Sequence, residues 1–146
     1  MRTYKFAEYE IEIDYARTLE YYKDLPFIGD EDDCNCIYCQ NYALATIYFP
    51  EDVKSLCMNI GVNLKKDARV SHFYEAKNSK HMYLAEYKLF GNIIRRATTE
   101  VIDVDVLYKN DEDYFKIRLL NVEDDDNVIE LCIEAFLPWL LDIPSK

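Results

Sequence analysis

The sequence predicts an α+β domain, an antiparallel and curved β-sheet or small sandwich with two helices inserted after the first strand. Three observations carry that expectation. Strand-like alternation opens the chain and returns throughout its second half. Two helical stretches lie together between residues 36 and 61. No helical pattern separates the later strands, as a parallel βαβ array would require.

Taken in order, Ala7, Tyr9, Ile11, Ile13 and Tyr15 alternate with Glu8, Glu10, Glu12 and Asp14, predicting one half-buried strand with an acidic outer face. "YARTLEYYKDLPFIGD" has no clear period, and Pro26 and Gly29 mark it as loop. A first helix is expected from Cys36 to about Phe49, with Asp33 as its N-cap and the preceding acids at the positive end of its dipole. Cys36, Cys39, Ala43 and Ile47 would share its inner face. In "FPEDVKSLCMNIGV" the second helix has Pro50 in its first turn and Gly61 as its stop. Its core stripe is Val53, Leu56, Cys57 and Ile60, so Cys57 is read as a buried thiol.

"ARVSHFYEA" and "HMYLAEYKLFGNII" then read as strands, with Gly91-Asn92 marking a turn or a bulge. "VIDVDVLY" alternates, and the loop "KNDED" turns it into "YFKIRLL", whose Phe115, Ile117 and Leu119 face inward. A second acidic loop leads to "VIELCIEAFLPWLL", where Ile129, Leu131, Ile133 and Ala135 alternate with Glu130, Cys132 and Glu134. The apolar "FLPWLLDIP" is expected to fold back over the sheet, with a partner-binding or dimerising patch as the alternative.

Size and charge bound the functional classes. At 146 residues, with no linker or repeat, the chain reads as a single domain spanning 1–146. Its formal charge of −11 repels phosphate backbones and anionic lipid, which argues against nucleic-acid and membrane partners; solubility alone is the leading reading of that charge, and a basic protein or a cation is the partner it would attract. Thirteen tyrosines suggest rings packed inward with hydroxyls turned outward. The N-terminal residues lack a signal-peptide core, and five unevenly spaced cysteines (Cys34, Cys36, Cys39, Cys57, Cys132) suit a reducing cytoplasm better than a disulfide framework.

The stretch "DEDDCNCIYCQNY", Asp30 to Tyr42, holds the one cluster with chemical promise. Cys34, Cys36 and Cys39 supply three thiols for a zinc ion, which ordinarily takes four ligands. The fourth would come from His72, His81, Cys132, Asp30, Asp32 or Asp33, none of which stands at a recognisable spacing. Cys36 and Cys39 also form a C-x-x-C at a helix start, but the four acids before it would oppose thiolate formation. A third reading makes Cys36 and Cys39 core residues and leaves only Cys34 near solvent, and on helical spacing that reading leads. His72 and His81 read as structural residues on strands. Three glycines leave no phosphate-cradling loop, and no nucleophile stands with its base in a local signature.

Four segments together resemble a family of small bacterial proteins of uncharacterised function: "CNCIYCQNY" at 34–42, "FPEDVKSLCMNIGV" at 49–62, "HMYLAEYKLFGNII" at 81–94 and "LPWLLDIP" at 137–144. They include a C-x-C-x-Y-C-x-N and an L-P-W-x-L-D-x-P pattern. Where that family tends to have glycines and a tryptophan, this chain has Ala85, Glu86, Tyr87 and Lys88. The resemblance implies a shared fold and brings no activity. The sequence therefore points to a non-enzymatic acidic interaction protein that binds a basic partner, with a zinc-binding or thiol-dependent protein using Cys34, Cys36 and Cys39 as the alternative.

Overall fold

A computed structural model describes residues 1–6, 9–32, 34–66, 68–95, 102–103, 114–123 and 125–145. The fold is α+β, with every strand pairing antiparallel. Strands β1 (Arg2–Phe6) and β2 (Tyr9–Ile13) form an opening hairpin where one strand was expected, and Ala7 and Glu8 of that expected strand lie outside the described residues. Three helices follow: α1 (Tyr15–Lys23), α2 (Ile37–Ala45), which continues into a 3-10 turn at Thr46–Tyr48, and α3 (Glu51–Ile60). Then come β3 (Arg69–Glu75), β4 (His81–Arg95), β5 (Ile102–Asp103), β6 (Phe115–Asn121) and β7 (Val128–Leu137). All described strands belong to one sheet in the order β1-β2-β4-β7-β6-β5, with β3 also on β4, so it is a single sheet and not a sandwich.

The 15-residue strand β4 is the spine. One edge pairs with β7 from His81 to Phe90. The other edge pairs with β3 from His81 to Glu86 and with β2 from Gly91 onward, leaving a gap between them. Helix α1 fills that gap. Tyr22 Oη donates to the Lys88 carbonyl at 2.6 Å and accepts its N–H at 3.2 Å. Thr18 Oγ1 accepts the Phe90 N–H at 3.1 Å, and the Asp14 N–H donates to the Phe90 carbonyl at 2.9 Å.

This helix corrects the expectation of a loop over 15–23 and of only two helices. Its buried residues are Thr18 and Tyr22, which pair with backbone as well as packing, so it lacks the apolar stripe by which helices are recognised. The available signals were its ends. Asp14 caps it by accepting the Arg17 N–H at 3.1 Å, and Pro26 follows two residues after its C-cap, Asp24. Asp14 and Tyr15 accordingly belong to α1 and not to the first strand, while Tyr9, Ile11 and Ile13 are buried as expected.

Helix α2 also differs from its expected form. Cys36, not Asp33, is the N-cap, and its sulfur accepts the Cys39 N–H at 3.4 Å. Asp33 lies outside the described residues. The buried face is Cys39, Tyr42 and Ala45 with Asn41, while Cys36, Leu44, Ile47 and Tyr48 are exposed. Helix α3 follows expectation, with Val53, Leu56, Cys57 and Ile60 buried and Gly61 at its end, although Pro50 is its N-cap instead of a first-turn residue.

Of the two alternatives at Gly91-Asn92, the turn is absent. Strand β4 runs through both residues, and its register with β2 shifts one step further on. A Cβ at Gly91 would overlap the Glu12 carbonyl oxygen, so the close approach of β2 to β4 requires glycine. On β6 and β7, Phe115, Ile117, Leu119, Ile129, Leu131, Ile133 and Ala135 are buried as predicted. Of "VIDVDVLY" only Ile102 and Asp103 are described, paired with Ile117 and Lys116; the loop "KNDED" lies outside the described residues.

The helices cover one face of the sheet, and tyrosines join the layers. Tyr9, Tyr22, Tyr42, Tyr83 and Tyr87 are buried with hydroxyls satisfied inside the protein, contrary to the expected outward hydroxyls. Tyr87 Oη donates to the Leu64 carbonyl at 2.6 Å, so the Tyr42 hydroxyl 2.6 Å away is the donor to Tyr87. Among the described residues no helix is long and apolar enough to cross a membrane.

Candidate metal centre

The site begins with a loop pressed against the start of α2. Gly29 has φ +85°, and a Cβ there would lie 2.9 Å from Gln40 Cα, so glycine lets the acidic loop dock on the helix backbone. Residues 30–32 are exposed, and the chain enters α2 through Cys34, Asn35 and Cys36. Asn35 Oδ1 accepts from Gln40 Nε2 at 2.8 Å, which ties the entry to the second turn.

This path gathers Cys34, Cys36 and Cys39. Their three sulfurs all lie within 4.8 Å of one another, and Cys34 Sγ approaches Cys36 Sγ at 3.4 Å. Cys34 and Cys36 are exposed, Cys39 is buried, and all three are free thiols. The leading sequence expectation for this pair is thus half corrected: Cys39 is a core residue and Cys36 is not. As an N-cap, Cys36 stands outside the helical turn, so i, i+3 spacing does not put it on the face of Cys39.

The thiols differ in acidity. Partial burial pushes Cys36 up, but the Cys39 N–H and hydrogen bonding with the Cys34 and Cys39 thiols outweigh it and lower Cys36 overall. Cys39 is driven well above the usual thiol range by burial, reinforced by its two thiol neighbours. Cys57 is pushed up to about 12 by burial, as is Cys132, with Glu130 adding to the effect.

The fourth-ligand candidates are placed as follows. His72 Nε2 lies 2.8 Å from His81 Nδ1, so the two imidazoles are partners of each other. Asp30 Oδ1 accepts the Glu31 N–H at 2.8 Å, and Asp32 is exposed. Cys132 pairs across the strands with Glu86 and lies 3.3 Å from Glu130, in a separate group of those three residues. Among the described residues no fourth His, Cys, Asp or Glu joins the three thiols at ligand spacing. The Glu86–Glu130–Cys132 group went unseen in the sequence because its members are 46 residues apart at the extremes and meet only through β4–β7 register.

An aromatic wall adjoins the thiols. Tyr38, between Cys36 and Cys39, stacks on His72 with ring centroids 4.1 Å apart, and its carbonyl accepts the Tyr83 hydroxyl at 2.9 Å. His81 packs on Trp139 at 4.8 Å. The C-terminal strap folds back as expected. Buried Asn41 donates to the Pro138 carbonyl at 3.0 Å and accepts the Leu140 N–H at 2.6 Å, and Tyr38 Oη donates to the Ser145 carbonyl at 2.9 Å. Comparison of the chain with protein-family models, with curated proteins and with solved structures returns no match.

Proposed function

We propose that this protein binds a thiophilic metal ion, with zinc as the leading candidate, through Cys34, Cys36 and Cys39. The observation that supports this reading is the convergence of three free sulfurs within 4.8 Å, two of them exposed. Bonds of about 2.3 Å in a tetrahedron set sulfurs about 3.8 Å apart, so this group needs only side-chain adjustment to fit. Cys36, whose pKa is lowered, would enter as thiolate. A dication would then offset the burial, and the smaller effect of the two neighbouring thiols, that keep Cys39 protonated. The remaining position would be taken by water, a ligand from a partner, or a substrate.

Metal content of protein purified without chelator tests this. About one zinc per chain, lost in Cys36→Ser, is the expected result; background metal that added zinc does not raise would refute it. The charge of −11 supports a second reading, a cytoplasmic interaction protein that binds a basic protein partner. Failure to retain any basic protein from native lysate at low salt would count against that reading.

A further inference from the structure

A groove of about 830 Å³ lies between α1, α3 and the connection that follows α3, apart from the three clustered cysteines. We propose that it binds a single-chain amphiphile with an anionic head, a long-chain carboxylate being the simplest member of the class.

The apolar component comes from side chains that folding leaves uncovered. Met58 is 74% exposed, Ile47 52% and Leu19 46%, and all three line the groove with Val62 and Leu64. Large apolar side chains gathered at that exposure mark a binding surface more often than chance. The floor consists of Tyr22, Thr46 and Cys57, each 2% exposed. The groove therefore has depth down to the core, which suits a flexible alkyl tail better than a helix about 10 Å across. Its volume falls in the range of roughly 300–1,000 Å³ usual for small-molecule sites.

Charge selects the head group. The whole chain has 28 acidic and 17 basic residues, yet the groove's charged lining is Lys23, Lys54, Lys65 and Lys66 against Glu20 alone. Two of these lysines are held in place. Lys66 Nζ donates to the carbonyls of Tyr22 and Lys23 at 3.2 and 3.0 Å, and Lys54 Nζ donates to the Ile47 carbonyl at 3.1 Å while pairing with Glu51 at 2.8 Å. Lys23 and Lys65 are exposed, and among the described residues neither pairs with a carboxylate. Lysine stems commonly lie along apolar surface with their heads in water. That habit and the partners of Lys54 and Lys66 leave Lys23 and Lys65 unexplained beside an apolar groove of an acidic protein, whereas an anionic head above an apolar tail uses both features.

The test is binding of hexadecanoate below its micellar concentration, followed by displacement of a fluorescent fatty-acid reporter from the full chain. Hexadecanol and hexadecyltrimethylammonium serve as neutral and cationic controls. One saturable site per chain is expected, with hexadecanoate bound more tightly than either control. The Lys23→Glu/Lys65→Glu variant alters only exposed positions and should weaken hexadecanoate by roughly tenfold while leaving hexadecanol unchanged. Met58→Glu, also at an exposed position, should weaken both. No saturable binding of hexadecanoate, equal binding of all three amphiphiles, or an unchanged affinity in the double lysine variant would each overturn the proposal. So would an acidic amphipathic peptide that binds the groove when hexadecanoate does not.

Discussion

Asn41 is fully buried in α2, and its side-chain amide ties that helix to the start of the C-terminal strap. Asn41→Ala removes a bond to the Pro138 carbonyl at 3.0 Å, one from the Leu140 N–H at 2.6 Å, and a weaker one to Tyr83 Oη at 3.4 Å. Each good bond is worth about 1 kcal/mol net, and leaving the strap's own donor and acceptor unpaired adds about as much again. The expected loss is about 2–4 kcal/mol, a large share of a typical domain's stability. Asn41→Leu restores the apolar volume but not the bonds, so it should lose a similar amount. Trp139, the only tryptophan, sits on the strap, so its fluorescence reports strap docking while far-ultraviolet dichroism reports the sheet and helices. In urea both substitutions should make the fluorescence transition precede the dichroism transition. Coincident transitions with a loss below about 0.5 kcal/mol in Asn41→Ala would refute the argument.

Thiol chemistry and pH supply two further tests. Timed labelling with an aromatic disulfide at neutral pH should modify the exposed Cys34 and Cys36 promptly, while Cys39, Cys57 and Cys132 react only on unfolding; prompt reaction at Cys39 would contradict its burial and raised pKa. Burial lowers the pKa of both His72 and His81, the His81 imidazole further opposes a charge on His72, and Glu75 only partly offsets this. Both histidines are thus neutral in the fold above the ordinary value of about 6.5. Stability should fall as pH drops below that value toward the lowered folded pKa values, because the unfolded chain binds protons first. Urea midpoints between pH 7.5 and about 5.5 measure the slope, and His72→Gln should flatten it; Glu86, whose pKa is raised by burial and by Glu130, acts in the opposite direction in both proteins and cancels in the difference.

Where burial is decided by apolar side chains, the sequence and the structure agree. Tyr9, Ile11 and Ile13, the α3 stripe, and the alternation in β6 and β7 could all be read directly, because period and face are set by the same residues. Where polar groups decide, reading by period failed. Helix α1 buries Thr18 and Tyr22 for their hydrogen bonds, and α2 buries Asn41 to hold the strap, so neither face stands out as apolar. The thiol cluster was visible as a spacing, but its exposure was not. That depended on Cys36 being the cap of the helix instead of its first residue, a one-position difference that turns the side chain out of the core. The His72–His81 pair was hidden for another reason. It needs the β3–β4 register, with its irregularity between His72 and Tyr74, to bring residues nine apart into contact.

The plug that α1 places against β4 also bears on how the chain avoids sticking to itself. Without it, the backbone between Glu86 and Gly91 would present a short row of donors and acceptors to solvent, and such a row templates the addition of a strand from another molecule. Tyr22 and Thr18 occupy those groups with side-chain oxygens, which offer nothing further to extend. Loss of these two side chains would therefore open a notch in the sheet as well as loosen a helix. The damage would appear as concentration-dependent association of the folded protein in addition to a lowered melting temperature.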